Sequence, residues 1–258
     1  AICNSQQYPC PEEDYDRCTF TGFYSAINAV NDGGVPLTFS VNRADFVDNA
    51  YGVKTREMNN ASVLFSDFEI GYLWYCGAGI YSDDVTGFAF EENNFNKYTG
   101  GPQGNYFGII INNSNAVNEV YRNNFNGMSY ANFSDGKNWR DDYRYEGLAY
   151  YCNENTNNYA DFYVNDYEYP DHSGIQSEQG NDNYTAGNTF TQSGATWHFY
   201  NGGEHLVQYF YNQNASYEIP DYPDKTYHVA ITAENDDNTC PSHYGEPQWD
   251  LILSAQQR

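Results

Sequence analysis

The chain has 258 residues, with 35 Asp+Glu against 11 Lys+Arg and a formal net charge of −24. A field of that sign repels phosphate backbones and anionic lipid, which sets aside nucleic-acid and membrane-surface partners and favours cations. Its 27 Tyr and 16 Phe supply enough apolar area to fold despite the charge, and no apolar run is long enough for membrane insertion.

In chain order, residues 1–20 read as an irregular N-terminal cap carrying Cys3, Cys10 and Cys18. From about residue 20 one frame recurs: Phe39-x-Val41-x-Arg43-x-Asp45-Phe46, then Ala61 to Phe68, Phe88 to Phe95 and Asn118 to Phe125. Each copy alternates with period two, the signature of a strand with one face buried, and closes on Asp/Asn-Phe, which reads as a corner. A Gly-led apolar strand is expected in the same frame at Gly52-Val53, Gly79-Ile80-Tyr81, Gly108-Ile109-Ile110-Ile111 and Gly147-Leu148-Ala149-Tyr150. Residues 96–107 and 129–146 read as long loop insertions, and residues 191–258 as a C-terminal capping region that blocks the open edge of the stack.

One such coil cannot bury its own inner face, so like positions are expected to stack in parallel. The frame predicts an internal aromatic column of Phe46, Phe68, Phe95 and Phe125, flanked by an amide ladder at Asn94 and Asn124 that satisfies corner backbone groups. An antiparallel sandwich also fits short strands with regular turns, but the recurrence of one particular frame favours a single-domain, all-β parallel β-helix over residues 20–190. Cys3, Cys10, Cys18, Cys76, Cys152 and Cys240 make an even count, expected as disulfides in an oxidising compartment with Cys3, Cys10 and Cys18 placed to staple an end cap; the alternative is a set of buried free thiols, and the sequence does not choose among the pairings. No Cys-x-x-Cys pair argues for zinc.

Four stretches carry a family resemblance: GIIINNSNAVNEVYRNNFNG, GLAYYCNENTNNYADFYV, YTAGNTFTQ and NTCPSHYG. They resemble the right-handed parallel β-helix region of large secreted proteins of Bacteroidota exported by the type IX route. The resemblance covers residues 20 to about 245. It implies a secreted or cell-surface location and a role in adhesion or surface architecture, and it brings no catalytic residues. Proteins of that family end in a sorting domain, whereas this sequence stops at Arg258.

Parallel β-helices also host polysaccharide lyases and hydrolases, which need clustered carboxylates and a base. The candidates are Asp83, Asp84, Glu91 and Glu92 with Arg122, and a second group of Arg140, Asp141, Asp142 and Arg144. Asp83-Asp84 reads as a turn and Glu91-Glu92 straddles a strand, so neither group defines a reaction, and no catalytic residue is assigned. His172, His198, His205, His228 and His243 form no metal-ligand motif and are expected to be structural or solvated. Calcium is the one cofactor considered, with Asp182, Asp236 and Asp237 as candidate ligands. Asn60, Asn112, Asn132, Asn183 and Asn214 head Asn-x-Ser/Thr triplets.

The expected binding residues are aromatics of the two insertions: Tyr98, Tyr106, Tyr130, Trp139, Tyr143 and Tyr145. Such rings either stack on sugars or pack against another protein. The sequence therefore predicts an extracellular structural or adhesive surface protein that associates with itself, with other surface proteins or with glycans. A filament or surface-layer subunit is one form of this. A carbohydrate-active enzyme or a glycan-binding module is the alternative.

Overall fold

The computed structural model describes residues 2–3, 15–71, 76–99, 104–140, 143–165, 173–235 and 238–244. Those residues form a parallel β-solenoid of about 7 turns, nearly all β, with three lateral faces. Face A is a six-stranded sheet: Cys18–Thr21, Ala44–Val47, Asp67–Ile70, Asn94–Lys97, Asn124–Asn126 and Glu154–Thr156. Face B has eight strands: Ser25–Val30, Tyr51–Arg56, Cys76–Asp83, Asn105–Asn112, Tyr130–Asp135, Ala160–Val164, Trp197–Asn201 and Thr226–Tyr227. Face C runs through Phe39–Asn42, Ala61–Leu64, Ala89–Glu91, Asn118–Tyr121 and Tyr143–Tyr151, and a further parallel sheet follows at Glu178–Gln179, Val207–Asn212 and Val229–Glu234. The parallel ladders thus run on to Glu234, past the boundary expected near residue 190.

The Phe column forms as expected. Phe46, Phe68, Phe95 and Phe125 stand in register on face A, and their rings stack at 4.7, 4.7 and 4.9 Å between neighbours. Phe20 extends the column at 5.2 Å, and Asn155 ends it by taking the next position in register. Gly52, Gly79 and Gly108, in three successive face-B strands, make room for this column, whereas Gly147, expected in the same frame, lies in the face-C strand Tyr143–Tyr151 against Asn138 and Trp139. A Cβ on Gly79 would lie 2.5 Å from the Phe95 ring and one on Gly108 2.5 Å from the Phe125 ring.

The amide ladder lies one residue away from where the frame puts it. Asn94 and Asn124 point outward from face A and bond each other at the surface, Asn124 Nδ2 donating to Asn94 Oδ1 at 3.0 Å. The corner backbone is satisfied instead by the preceding residues, Asn93, Asn123, Asn153 and Asn188, all fully buried. Each Oδ1 accepts the backbone N–H of the equivalent residue one coil earlier, from Asn93 to Asn123 at 3.0 Å, Asn123 to Asn153 at 3.1 Å and Asn153 to Asn188 at 2.9 Å. Each Nδ2 donates to a strand carbonyl, such as Asn123 to Phe90 at 2.8 Å. The reason is local geometry. The residue before each Asn turns the chain in the left-handed region, at φ 55 for Glu92, 55 for Arg122 and 59 for Cys152. That conformation costs a non-Gly residue roughly 1–2 kcal/mol and swings the next side chain inward against the corner.

The two expected insertions are ordinary coil in part. Residues 105–107 open a face-B strand, and Tyr130–Asp135 is a complete one. Its polarity is inverted: Asn132 and Ser134 are buried while Tyr130 and Phe133 face outward. An alternation read by hydrophobicity misses a strand that buries its polar side chains. Beyond it, Trp139–Arg140 pairs antiparallel with the start of Tyr143–Tyr151.

The cysteines also depart from expectation. The described disulfide joins Cys152 to Cys240, and Cys18, expected to staple the N-terminal cap, is an exposed free thiol, as is Cys76. Cys3 lies in the short strand Ile2–Cys3 paired with Tyr15–Asp16, and Cys10 is outside the described residues. Residues 238–244 do not block the end of the stack. They run back along its flank as a strap.

Candidate binding surface and the C-terminal strap

Face B carries the most distinctive surface. Tyr81, Ile110, Phe133, Tyr163, Tyr200 and Tyr227 occupy one outward column, in register from strand to strand. Tyr163 and Tyr200 lie 4.5 Å apart at 14°, and Tyr200 and Tyr227 5.0 Å apart at 14°. Rings that close and that parallel must overlap as displaced stacks, because side-by-side rings in one plane need wider spacing. Each ring therefore shields part of its neighbour and shows solvent an edge and, for Tyr, a hydroxyl. A second column begins with Phe107 stacked on Tyr130 at 5.1 Å, and Trp197 packs against Tyr200 at 5.2 Å. In the face-B strands from Asn105 onward, the carboxylates are Asp135, at a strand end, and Asp161, which is fully buried. An aromatic, almost uncharged face on a chain of net charge −24 is an exception that hydrophobic burial does not explain.

A groove with a volume near 660 Å³ borders this face at the corner between faces A and B. Lys97, Gly127, Asn157 and Gly194 line it from four successive coils, with Tyr130 and Tyr159 as its aromatic members. Tyr159 is half exposed and meets Tyr130 at 6.3 Å with the rings near perpendicular. No carboxylate is among the described residues that line it.

The strap lies over face C. Cys240 anchors it to Cys152, and Asn238 Nδ2 donates to the Thr185 carbonyl at 3.0 Å. Tyr121 Oη donates to the Pro241 carbonyl at 2.7 Å, the His243 ring stacks on Tyr121 at 4.0 Å, Ser242 Oγ donates to Glu92, and Tyr244 meets Phe65 edge-on. His243 Nδ1 sits 2.8 Å from Glu91 Oε1. Burial, then the nearby Glu119 and Glu92, push the Glu91 carboxyl up to about 8, and burial raises Glu119 to about 7. Desolvation lowers His243. At neutral pH Glu91 is then largely protonated, so this close approach of His243 is not an ion pair.

These positions decide the fate of each expected site residue. Tyr130 is on the face-B surface and lines the groove. Tyr106, expected as an exposed binder, is fully buried, packed over Gly71 and under Lys97. Tyr98 is half-buried and donates its backbone N–H to Ile70. Trp139 is half-buried between Lys137, 4.3 Å from its ring centroid, and His205, and Tyr145 is exposed. Tyr143 opens the strand Tyr143–Tyr151. The expected set is therefore not one surface, and the rings that do share one, Phe107, Phe133, Tyr159, Tyr163, Tyr200 and Tyr227, were not singled out. The signal for them is repetition of an aromatic at the same place in successive strands, Phe133, Tyr163 and Tyr200, rather than loop position.

Of the enzyme candidates, Glu91 is buried beneath the strap and Arg122 pairs with Glu92 at 3.1 Å. Asp84 is a left-handed turn residue, and Arg140 pairs with Glu146. Asp141 and Asp142 lie outside the described residues, as do the calcium candidates Asp236 and Asp237 and His172. Asp182 is exposed in the turn Asn181 to Tyr184. Among the described residues no three His, Cys, Asp or Glu group as a metal site. His198 is structural: Nδ1 accepts the Asp221 N–H, which leaves Nε2 to donate to the Thr191 carbonyl.

Fold and surface together define a parallel β-solenoid with a laterally strapped tail and an aromatic flank. No protein-family model, curated protein or solved structure matches the chain.

Proposed function

We propose that this is a non-catalytic adhesive surface protein whose contact surface is the aromatic flank of face B. The observation that carries the reading is the contrast between a net charge of −24 and a face whose outward column from Tyr81 to Tyr227 is uncharged and aromatic. Ring edges and hydroxyls suit an uncharged, hydroxyl-rich or apolar surface, where neither partner has to shed charge. The reading agrees with the resemblance to secreted Bacteroidota surface proteins, and an extracellular location and the type IX route belong to the same proposal. A catalytic role draws less support, because Glu91 is covered and Asp83 and Asp84 sit at a turn on another edge.

Adsorption to polysaccharide and to polystyrene films, followed by quartz-crystal microbalance, tests the proposal. Tyr163→Ser with Tyr200→Ser, both half-exposed, is expected to cut adsorption several-fold while far-UV circular dichroism is unchanged. Equal adsorption by parent and variant would refute it. Ordered filaments without adsorption would move the protein to the structural-subunit reading.

A further inference from the structure

The groove at the corner of faces A and B has a more specific use, which rests on the adhesive reading above. We propose that it binds a linear, uncharged polysaccharide chain lying parallel to the solenoid axis.

The direction follows from the repeat. Lys97, Gly127, Asn157 and Gly194 stand at the same corner of four successive coils. Coils stack at ~4.8 Å, so three spacings give the groove about 14 Å along the axis. An extended pyranose chain advances by a similar step per sugar, so each coil meets one ring of the chain.

The chemistry of the lining selects the class. Asn105, Asn157 and Ser193 are exposed and offer amide and hydroxyl groups of both donor and acceptor type. Tyr159, half exposed, adds an aromatic ring to the lining. Hydroxyl-rich rings with apolar C–H faces use both kinds of group. Among the described residues that line the groove the one cation is Lys97, placed over the Tyr106 ring at 5.3 Å. An acidic polymer would approach a chain of net charge −24, which the long-range field opposes. A peptide would need an unpaired strand edge or pockets for side chains. Here the strands on either side are paired within their ladders, Asn124–Asn126 with both neighbours and Tyr130–Asp135 with both neighbours.

The test is calorimetric titration of the intact chain with cello-, manno- and chito-oligosaccharides from monomer to hexamer, with oligogalacturonate as the charged control. At least one uncharged series is expected to bind with affinity rising to the tetramer and then levelling. Tyr159→Ala is expected to lower tetramer affinity about tenfold, equivalent to ~1.4 kcal/mol. Ser193→Trp, which fills the groove from an exposed position, is expected to abolish binding. Equal affinity for monomer and tetramer, preference for the acidic series, or indifference to both variants would overturn the inference. If no oligomer binds while the protein still adsorbs to films through Tyr163 and Tyr200, the groove proposal falls and the adhesive reading stands. If adsorption is also absent, both fall.

Discussion

Replacing Asn123 by alanine separates the inner amide ladder from the outer one. Asn123 Oδ1 accepts the Asn93 N–H at 3.0 Å, and its Nδ2 donates to the Phe90 carbonyl at 2.8 Å, all in a fully buried corner. Alanine cannot make either bond, and the corner is sealed by the Asn93 and Asn153 rungs above and below. A buried group left without a partner costs ~1–3 kcal/mol. The N–H has no alternative, while a carbonyl with two lone pairs sits at the low end, so the pair sums to about 2–4 kcal/mol. The neighbouring Asn124→Ala removes only an exposed amide contact and is expected to cost less than ~0.5 kcal/mol. Equilibrium urea unfolding of both variants, with the disulfide kept oxidised, measures the difference. Agreement within ~1 kcal/mol, or a larger loss for Asn124→Ala, would show that the inner ladder does not hold the corners. Asn123→Ser should fall between, since Ser66 fills the equivalent corner and its Oγ accepts the Ala44 N–H.

Three further outcomes are expected. Gly79→Ala places a Cβ 2.5 Å from the Phe95 ring and 2.9 Å from the Gly108 carbonyl, and overpacking of this kind costs ~1–3 kcal/mol in thermal or urea unfolding; Gly33→Ala, with nothing closer than 3.8 Å, is the near-neutral control. Cys240→Ser opens a crosslink that spans 88 residues, which typically costs ~2–4 kcal/mol, and hydrogen exchange should quicken over 238–244 while the coils keep their protection. The Glu91 carboxyl lies at about 8 in the fold against 4.5 when free, so the native state holds more protons between those values and stability falls as pH rises through that window. Glu119 and Asp161, both raised to about 7, act in the same sense, so Glu91→Gln should flatten the decline without removing it; an unchanged slope in a pH series of unfolding midpoints would contradict the burial of Glu91 beneath the strap.

By itself the sequence determined that the chain is a stack of like coils. The Phe46, Phe68, Phe95 and Phe125 frame is local and periodic, and a residue type that must fill one site in every turn is visible as text. Gly52, Gly79 and Gly108 were legible for the same reason, although their purpose, space for the Phe ring, was not. Only the tertiary structure decided which Asn of each pair points inward, because that depends on the left-handed turn at Glu92, Arg122 and Cys152 rather than on residue type. It also decided the polarity of Tyr130–Asp135, where Asn132 and Ser134 are enclosed by neighbouring coils and the rings face out. The strap belongs to the same class: Cys240 meets Cys152, and His243 meets Tyr121 and Glu91, across 88 or more residues of chain, and contacts between distant segments leave no period to read. Repetition along the axis is written in sequence because each coil solves the same packing problem. What covers a flank depends on where the chain ends up after all the coils have closed.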